Sequence, residues 1–139
     1  MLVRCLYASR VKSTLTPGLL SDILDQSRRN NPPRGITGLL CYTQEVFVQV
    51  LEGSREEISG LLARLMQDSR HKDVTILLFE EIAERTFSGW SMGQVNIDLV
   101  NPGLLLKYSS RPKLDPFAGS GQTVMSLLLE LIATGVIGA

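Results

Sequence analysis

An α+β sandwich is what this chain predicts, on three observations. Five short runs carry apolar or β-branched residues at strand spacing, three longer stretches carry them at helical spacing, and the two kinds interleave. The 139 residues suit one domain, and the 44% hydrophobic share is enough for a core.

The elements follow in order. Leu2–Ser9 alternates, with Val3, Cys5 and Tyr7 on one face and Leu2, Arg4 and Leu6 on the other, as a strand does. Thr16-Pro17 then starts a helix, a hydroxyl cap followed by proline at the first helical position. Leu19, Leu20, Ile23, Leu24 and Ser27 recur along it, and Asn31-Pro32-Pro33 stops it near Arg29 by removing donors and helical freedom. Gly35–Thr43 and Val46–Glu52, joined by Gln44-Glu45, read as a hairpin. Ser54 and Glu57 form a capping box that opens a second helix through Ile58, Leu61, Leu62, Leu65 and Met66. Asp68–Asp73 reads as a polar loop, Val74–Ile82 as a long strand and Gly89–Val95 as a shorter one. Pro102-Gly103 marks a break before an apolar turn at Leu104–Leu106, and Ser109–Gly121 is a loop. Val124, Leu127, Leu128, Leu131 and Ile132 make a final amphipathic helix. The order β-α-β-β-α-β-β-α begins with the ferredoxin-like split βαβ arrangement, with an added fifth strand. Two helices cover one sheet face, and the C-terminal helix is the predicted cover of the other.

Composition narrows the function. Lys+Arg and Asp+Glu number 14 each, so the chain lacks the excess positive charge of a phosphate-neutralising nucleic-acid groove. Zero net charge also weakens repulsion between copies and favours a homo-oligomer. Cys5 and Cys41 lie in apolar runs without metal-type spacing and read as reduced core thiols. The start has no signal-like stretch, and the most apolar segment, Val124 to Ala139, is too short for a bilayer span and carries Glu130. A cytoplasmic protein acting away from membranes and nucleic acid is expected.

Some residues break the pattern. Gln49 shares a strand face with Phe47 and Leu51 while Val46, Val48 and Val50 fill the other, so a carboxamide is predicted in the core, where backbone or a functional partner must satisfy it. Tyr7 faces the same way as Val3 and Cys5, and if the two strands adjoin, phenol and amide meet. Asn30 and Asn31 serve either as a helix cap and turn or as amides aimed at a planar heterocycle. Gly35-Ile36-Thr37-Gly38 serves a turn or lets a ligand approach the backbone, and lacks phosphate-loop spacing. His71, the only histidine, sits in a solvated loop or in an anion site with Arg64, Arg70 and Lys72. Trp90 and Met92 alternate on the fifth strand. No nucleophile–base pair or metal set can be assembled, and no catalytic residue is assigned.

Taken together these motifs resemble the BLUF domain, the blue-light sensor that uses FAD. The residues that carry the resemblance are Tyr7-Ala8-Ser9, Asn30-Asn31 with Gly35-Ile36-Thr37-Gly38, and Phe47-Val48-Gln49-Val50-Leu51-Glu52-Gly53. Asp68-Ser69-Arg70-His71 and Arg85-Thr86-Phe87-Ser88-Gly89-Trp90-Ser91-Met92 continue it in order. It covers residues 1–95 as a flavin-binding core, and residues 96–139 resemble the helical extension of short stand-alone members, within the same globular unit. Pro32-Pro33 departs from the family by stiffening the loop after the asparagines.

The resemblance implies a non-covalent FAD site between the two helices. It puts Ile23 and Leu65 against the ring faces, and Asn31, Asn30 and Ser27 near the pyrimidine edge. Arg64, Asp68, Arg70 and His71 fall at the ribityl chain and phosphates. It implies that the excited flavin takes an electron from Tyr7, that a proton moves through Gln49, and that the rearranged Gln49 amide shifts the absorption to the red. Met92 or Trp90 would relay the change to a partner protein or to self-association. The protein would be a sensor, not an enzyme. An acylphosphatase-like hydrolase shares the element order, but Ser9–Thr16 offers Arg10 and Lys12 without a glycine-rich anion nest. An RNA-binding module would need stacking aromatics that the central strands lack.

Overall fold

A computed structural model describes residues 1–135, 137 and 138. Its elements are β1 (Leu2–Val11), α1 (Pro17–Asn30), β2 (Thr37–Tyr42), β3 (Val46–Ser54), α2 (Arg55–Leu65), β4 (His71–Ile82), β5 (Gly93–Asn96), α3 (Pro102–Tyr108) and α4 (Gly121–Thr134). The sheet runs β4-β1-β3-β2-β5, with antiparallel pairs up to β2 and a parallel β2–β5 pair. This is the predicted ferredoxin-like order with its fifth strand.

Local chemistry starts the helices as read. Thr16 accepts the Leu19 N–H with Pro17 in the first turn of α1, and Ser54 accepts the Glu57 N–H at the start of α2. Alternation then sorts the sheet. Val3, Cys5, Tyr7, Leu40, Phe47 and Leu51 pack with Ile23 and Leu24 of α1 and Ile58 and Leu62 of α2. Leu6, Ala8, Leu39, Cys41, Val46, Val48 and Val50 pack with Leu105 of α3 and Val124, Leu127, Leu128 and Leu131 of α4. The C-terminal helix therefore covers the second face, as predicted.

Three readings need correction. The fifth strand is Gly93–Asn96, not Gly89–Val95, so Trp90 and Met92 do not alternate along it. The preceding backbone is tied into a turn: Trp90 N–H donates to the Phe87 carbonyl at 3.3 Å, and the Trp90 carbonyl accepts from Gly38 N–H at 3.0 Å. The polar loop ends before His71, which opens β4 opposite Val11 and is buried rather than solvated. The apolar turn at Leu104–Leu106 belongs to the helix α3, whose first turn Asn101 caps through the Gly103 N–H. Of the two roles open to Gly35 and Gly38, the backbone geometry supports the structural one. Gly35 has φ of 65°, and a Cβ on Gly38 would stand 2.2 Å from the Val50 carbonyl oxygen.

Candidate functional site

The strand register creates the centre of the site. Tyr7 on β1 lies directly across from Gln49 on β3, both on the face covered by α1 and α2. Tyr7 is fully buried and Gln49 is 6% exposed. The Tyr7 hydroxyl donates to Gln49 Oε1, and Gln49 Nε2 donates to Met92 Sδ at 3.1 Å. Burial, with smaller contributions from Cys5 and Asp68, pushes the phenol well above its ordinary pKa of 10.0, so Tyr7 keeps its proton. The thioether is a weak acceptor, so the carboxamide is held firmly at one end only.

Above this pair a cleft of about 230 Å³ opens between the helices. Tyr7, Leu40 and Gln49 form its floor; Ile23, Gln26, Ser27, Asn30 and Asn31 line it from α1 and its end, and Leu61, Arg64 and Leu65 from α2. Arg34, Asp68, Arg70 and His71 complete the lining. Of the residues expected to hold a ligand, all of Ile23, Ser27, Asn30, Asn31, Gln49, Arg64, Leu65, Asp68, Arg70 and His71 therefore meet at one cleft.

Their roles differ. Asn31 is 3% exposed and donates Nδ2 to the Ser91 carbonyl at 3.0 Å, while Asn30 is exposed. Pro32 and Pro33 lie in a short 3₁₀ turn, where Asn31 receives the Arg34 and Ile36 N–H groups on its carbonyl. Ser27 donates to the Ile23 carbonyl at 3.0 Å. Arg70 forms a fork on Asp68, with its closest contact at 2.6 Å, and reaches Gln26 at 2.7 Å. The hydrogen bond from Arg70 holds the Asp68 carboxyl below its ordinary 3.8, against the opposing effect of burial. Arg64 is exposed. His71 Nδ1 bonds the buried Ser9 hydroxyl at 2.9 Å, and its ring packs on Phe47. Burial lowers the imidazole pKa below 6.5, opposed by Asp68 and reinforced by Arg70.

Met92 and Trp90 separate. Met92 is buried on the cleft face against Gln49, whereas Trp90 packs with the opposite core, over Gly93. Two contributors were not singled out from the sequence. Glu52 is fully buried; its carboxylate binds Arg4 at 2.8 Å and accepts the Thr86 and Phe87 N–H groups at 2.9 and 2.6 Å, tying the segment before Met92 to β3. Arg28 Nε donates to the Met92 carbonyl at 3.3 Å. Its position one helical turn before Asn31, on the same side of α1, was the available signal. Among the described residues no cluster of His, Cys, Asp or Glu could hold a metal ion, and no helix is long and apolar enough to cross a membrane.

A cleft with apolar walls, carboxamides at one end and guanidinium groups at its rim fits a planar heterocycle that carries an anionic tail. Residues 2–93 match the family described as sensors of blue-light using FAD, and the chain belongs to this BLUF family. It is 34% identical over 87 residues to the photoactivated adenylate cyclase subunit beta of Euglena gracilis, spanning 62% of this chain and 10% of that protein. The blue light- and temperature-regulated antirepressor BluF of Escherichia coli (strain K12) is 26% identical over 87 residues, spanning 63% of this chain and 22% of that protein. The solved structure of the BlsA photo-activated state superposes with a TM-score of 0.85 at 31% identity, covering 95% of each chain. The dark state of BlrB, a BLUF protein, gives 0.82 at 31% identity, covering 96% of each. The chain spans about a tenth of the length of the cyclase relative. This family relationship makes the protein a blue-light sensor that uses FAD and sets aside the acylphosphatase-like alternative.

Proposed function

We propose that the sensing event is a rearrangement of the Tyr7–Gln49–Met92 hydrogen-bond chain on the floor of an FAD-holding cleft. The observation that carries this is the pair of bonds on the Gln49 carboxamide, from Tyr7 Oη to Oε1 and from Nε2 to Met92 Sδ. Ile23 and Leu65 would flank the flavin ring, and Asn31, with Asn30 and Ser27 beside it, would meet its polar edge. Arg64 and Arg70 would meet the phosphates, Arg70 held in place by Asp68, with His71 as a neutral neighbour. Bound FAD supplies absorption of blue light and an excited-state electron acceptor.

The chain's own part is proton and hydrogen-bond control. Tyr7 is a neutral, buried phenol, so Oη carries the mobile proton, and Gln49 Oε1 is the atom placed to receive it. Turning the carboxamide end for end exchanges its donor and acceptor ends: Nε2 then donates to Tyr7 Oη, and Oε1 faces Met92 Sδ, which has no proton to give. Turning also withdraws Nε2 from Met92, so Met92 is the relay to β5, and Trp90, over Gly93, its neighbour on the far side. Residues 1–95 act as the flavin-binding core and 96–139 as the extension in which a change at β5 is passed to α4 and so to a partner protein or a second copy. This segment senses and does not turn over a substrate.

The test is an absorption spectrum of the purified protein, dark and then blue-illuminated. A structured flavin band that shifts reversibly to the red, and does not shift in Gln49→Leu, is the expected result. Bound flavin that never shifts overturns the switch. Sizes in solution that match in dark and under blue light would count against light-dependent association.

A further inference from the structure

The segment before β5 presents two adjacent carbonyls to α1. Asn31 Nδ2 donates to the first, on Ser91, at 3.0 Å; Arg28 Nε donates to the second, on Met92, at 3.3 Å. The same Met92 accepts the Gln49 amide on its sulfur. Arg28 thus grips the backbone of the residue whose side chain touches the switch, yet it does not line the cleft.

One atom of this grip is unexplained. Among the described residues, Arg28 Nη2 is the buried side-chain nitrogen or oxygen without a hydrogen-bond partner. A buried donor without an acceptor is costly, and native structures keep few of them. The guanidinium is a rigid fork whose donors point in fixed directions, so a small sideways movement of one carbonyl passes it from one N–H to the next.

We infer that Arg28 is a two-position clamp on the Met92 backbone. In the arrangement described, Nε holds the carbonyl and Nη2 waits unpaired. When Gln49 releases the Met92 sulfur and the segment moves, Nη2 takes up the carbonyl. Arg28 is therefore a positioning residue: it does not line the cleft, it reaches Gln49 only through Met92, and it sets how long the rearranged segment persists. The inference rests on the Tyr7–Gln49 reading, and its test separates the two.

The experiment uses the full chain loaded with FAD and follows thermal return of the red-shifted band after a blue pulse. Arg28→Met keeps the bulk and removes every donor; Arg28→Lys keeps a single donor nitrogen without the fork. The expected result is unchanged FAD content and an unchanged red shift in both variants. Return should be about three- to tenfold faster in Arg28→Met, the effect of one lost hydrogen bond on a barrier, with Arg28→Lys nearer the wild type. An Arg28→Met rate within about twofold of wild type overturns the clamp. Should Arg28→Met fail to fold, the Arg28 side-chain N–H signals of the ¹⁵N-labelled wild type decide: a change on illumination supports the clamp, and none overturns it. A wild type that binds FAD and never shifts overturns the Tyr7–Gln49 reading, and the clamp with it.

Discussion

The two faces of the sheet are made from the same strands and solve different problems. On the face under α3 and α4, strand residues Leu6, Val48 and Val50 meet Leu127, Leu128 and Leu131, all buried and apolar. On the face under α1 and α2, Tyr7 and Gln49 stand where the other face has hydrocarbon, and the helices leave a cleft above them. Polar groups in a core are tolerated only when bonded, so the second face spends its register on a hydrogen-bond chain and the first on packing. Apolar packing and buried polar contacts thereby fall on opposite sides of one layer, and the proposed switch belongs to the polar side.

That division can be broken at either side. Leu128→Ala should give the largest loss of stability, about 2–5 kcal/mol, because a fully packed leucine leaves a cavity. Chemical unfolding measures this, and the red shift of the surviving folded protein should be unchanged. A smaller effect is expected on the polar face. Gln49→Leu leaves the buried Tyr7 hydroxyl without an acceptor and should destabilise the flavin-free protein by about 1–3 kcal/mol. The double variant Tyr7→Phe, Gln49→Leu should regain much of that loss, because removing both partners leaves no orphan. Additive losses would show that the two side chains do not act as a pair.

A pH experiment sharpens the contrast further. Burial holds the folded-state His71 imidazole below its ordinary 6.5, so the unfolded chain takes up the proton first. This contribution is full above about 6.5 and is lost as the pH falls from there through the lowered folded-state value. Asp68 and Arg70 also face His71, and the Asp68 contribution is lost only in acid below 3.8. Urea unfolding at pH 7.5 and 5.5 should show weaker stability at the lower pH, with a smaller difference in His71→Phe; equal differences would place the effect elsewhere. The smallest change is expected from Ser54→Ala, about 1 kcal/mol through loss of the cap on α2, with the red shift retained.

How much of this was readable differs by residue. Alternation put Tyr7 with Val3 and Cys5 on β1 and Gln49 with Phe47 and Leu51 on β3, and the β1–β3 pairing makes these one buried face. Thr16-Pro17 and Ser54 to Glu57 marked helix starts because a cap is a contact over three residues. The apolar spacing of the fifth strand continues back to Gly89, whereas the Phe87 and Gly38 backbones and the Glu52 carboxylate claim the turn before it. His71 looked solvated beside charged neighbours, and its burial comes from Ser9 and Phe47, both distant in the chain.

By itself the sequence determined the succession of strands and helices up to β5, the alternation of residues along β1 and β3 and the caps that begin α1 and α2, since these depend on periodicity and on neighbours within a turn. It also carried the family, because motifs far apart occur together in the right succession. Only the tertiary structure decided that Met92 faces the Gln49 amide while Trp90 faces the opposite core, and that Arg28 holds the Met92 carbonyl. Those outcomes depend on where a turn between two strands sits against a helix some 60 residues earlier. Such a contact is set by packing of the whole layer, and no local pattern records it.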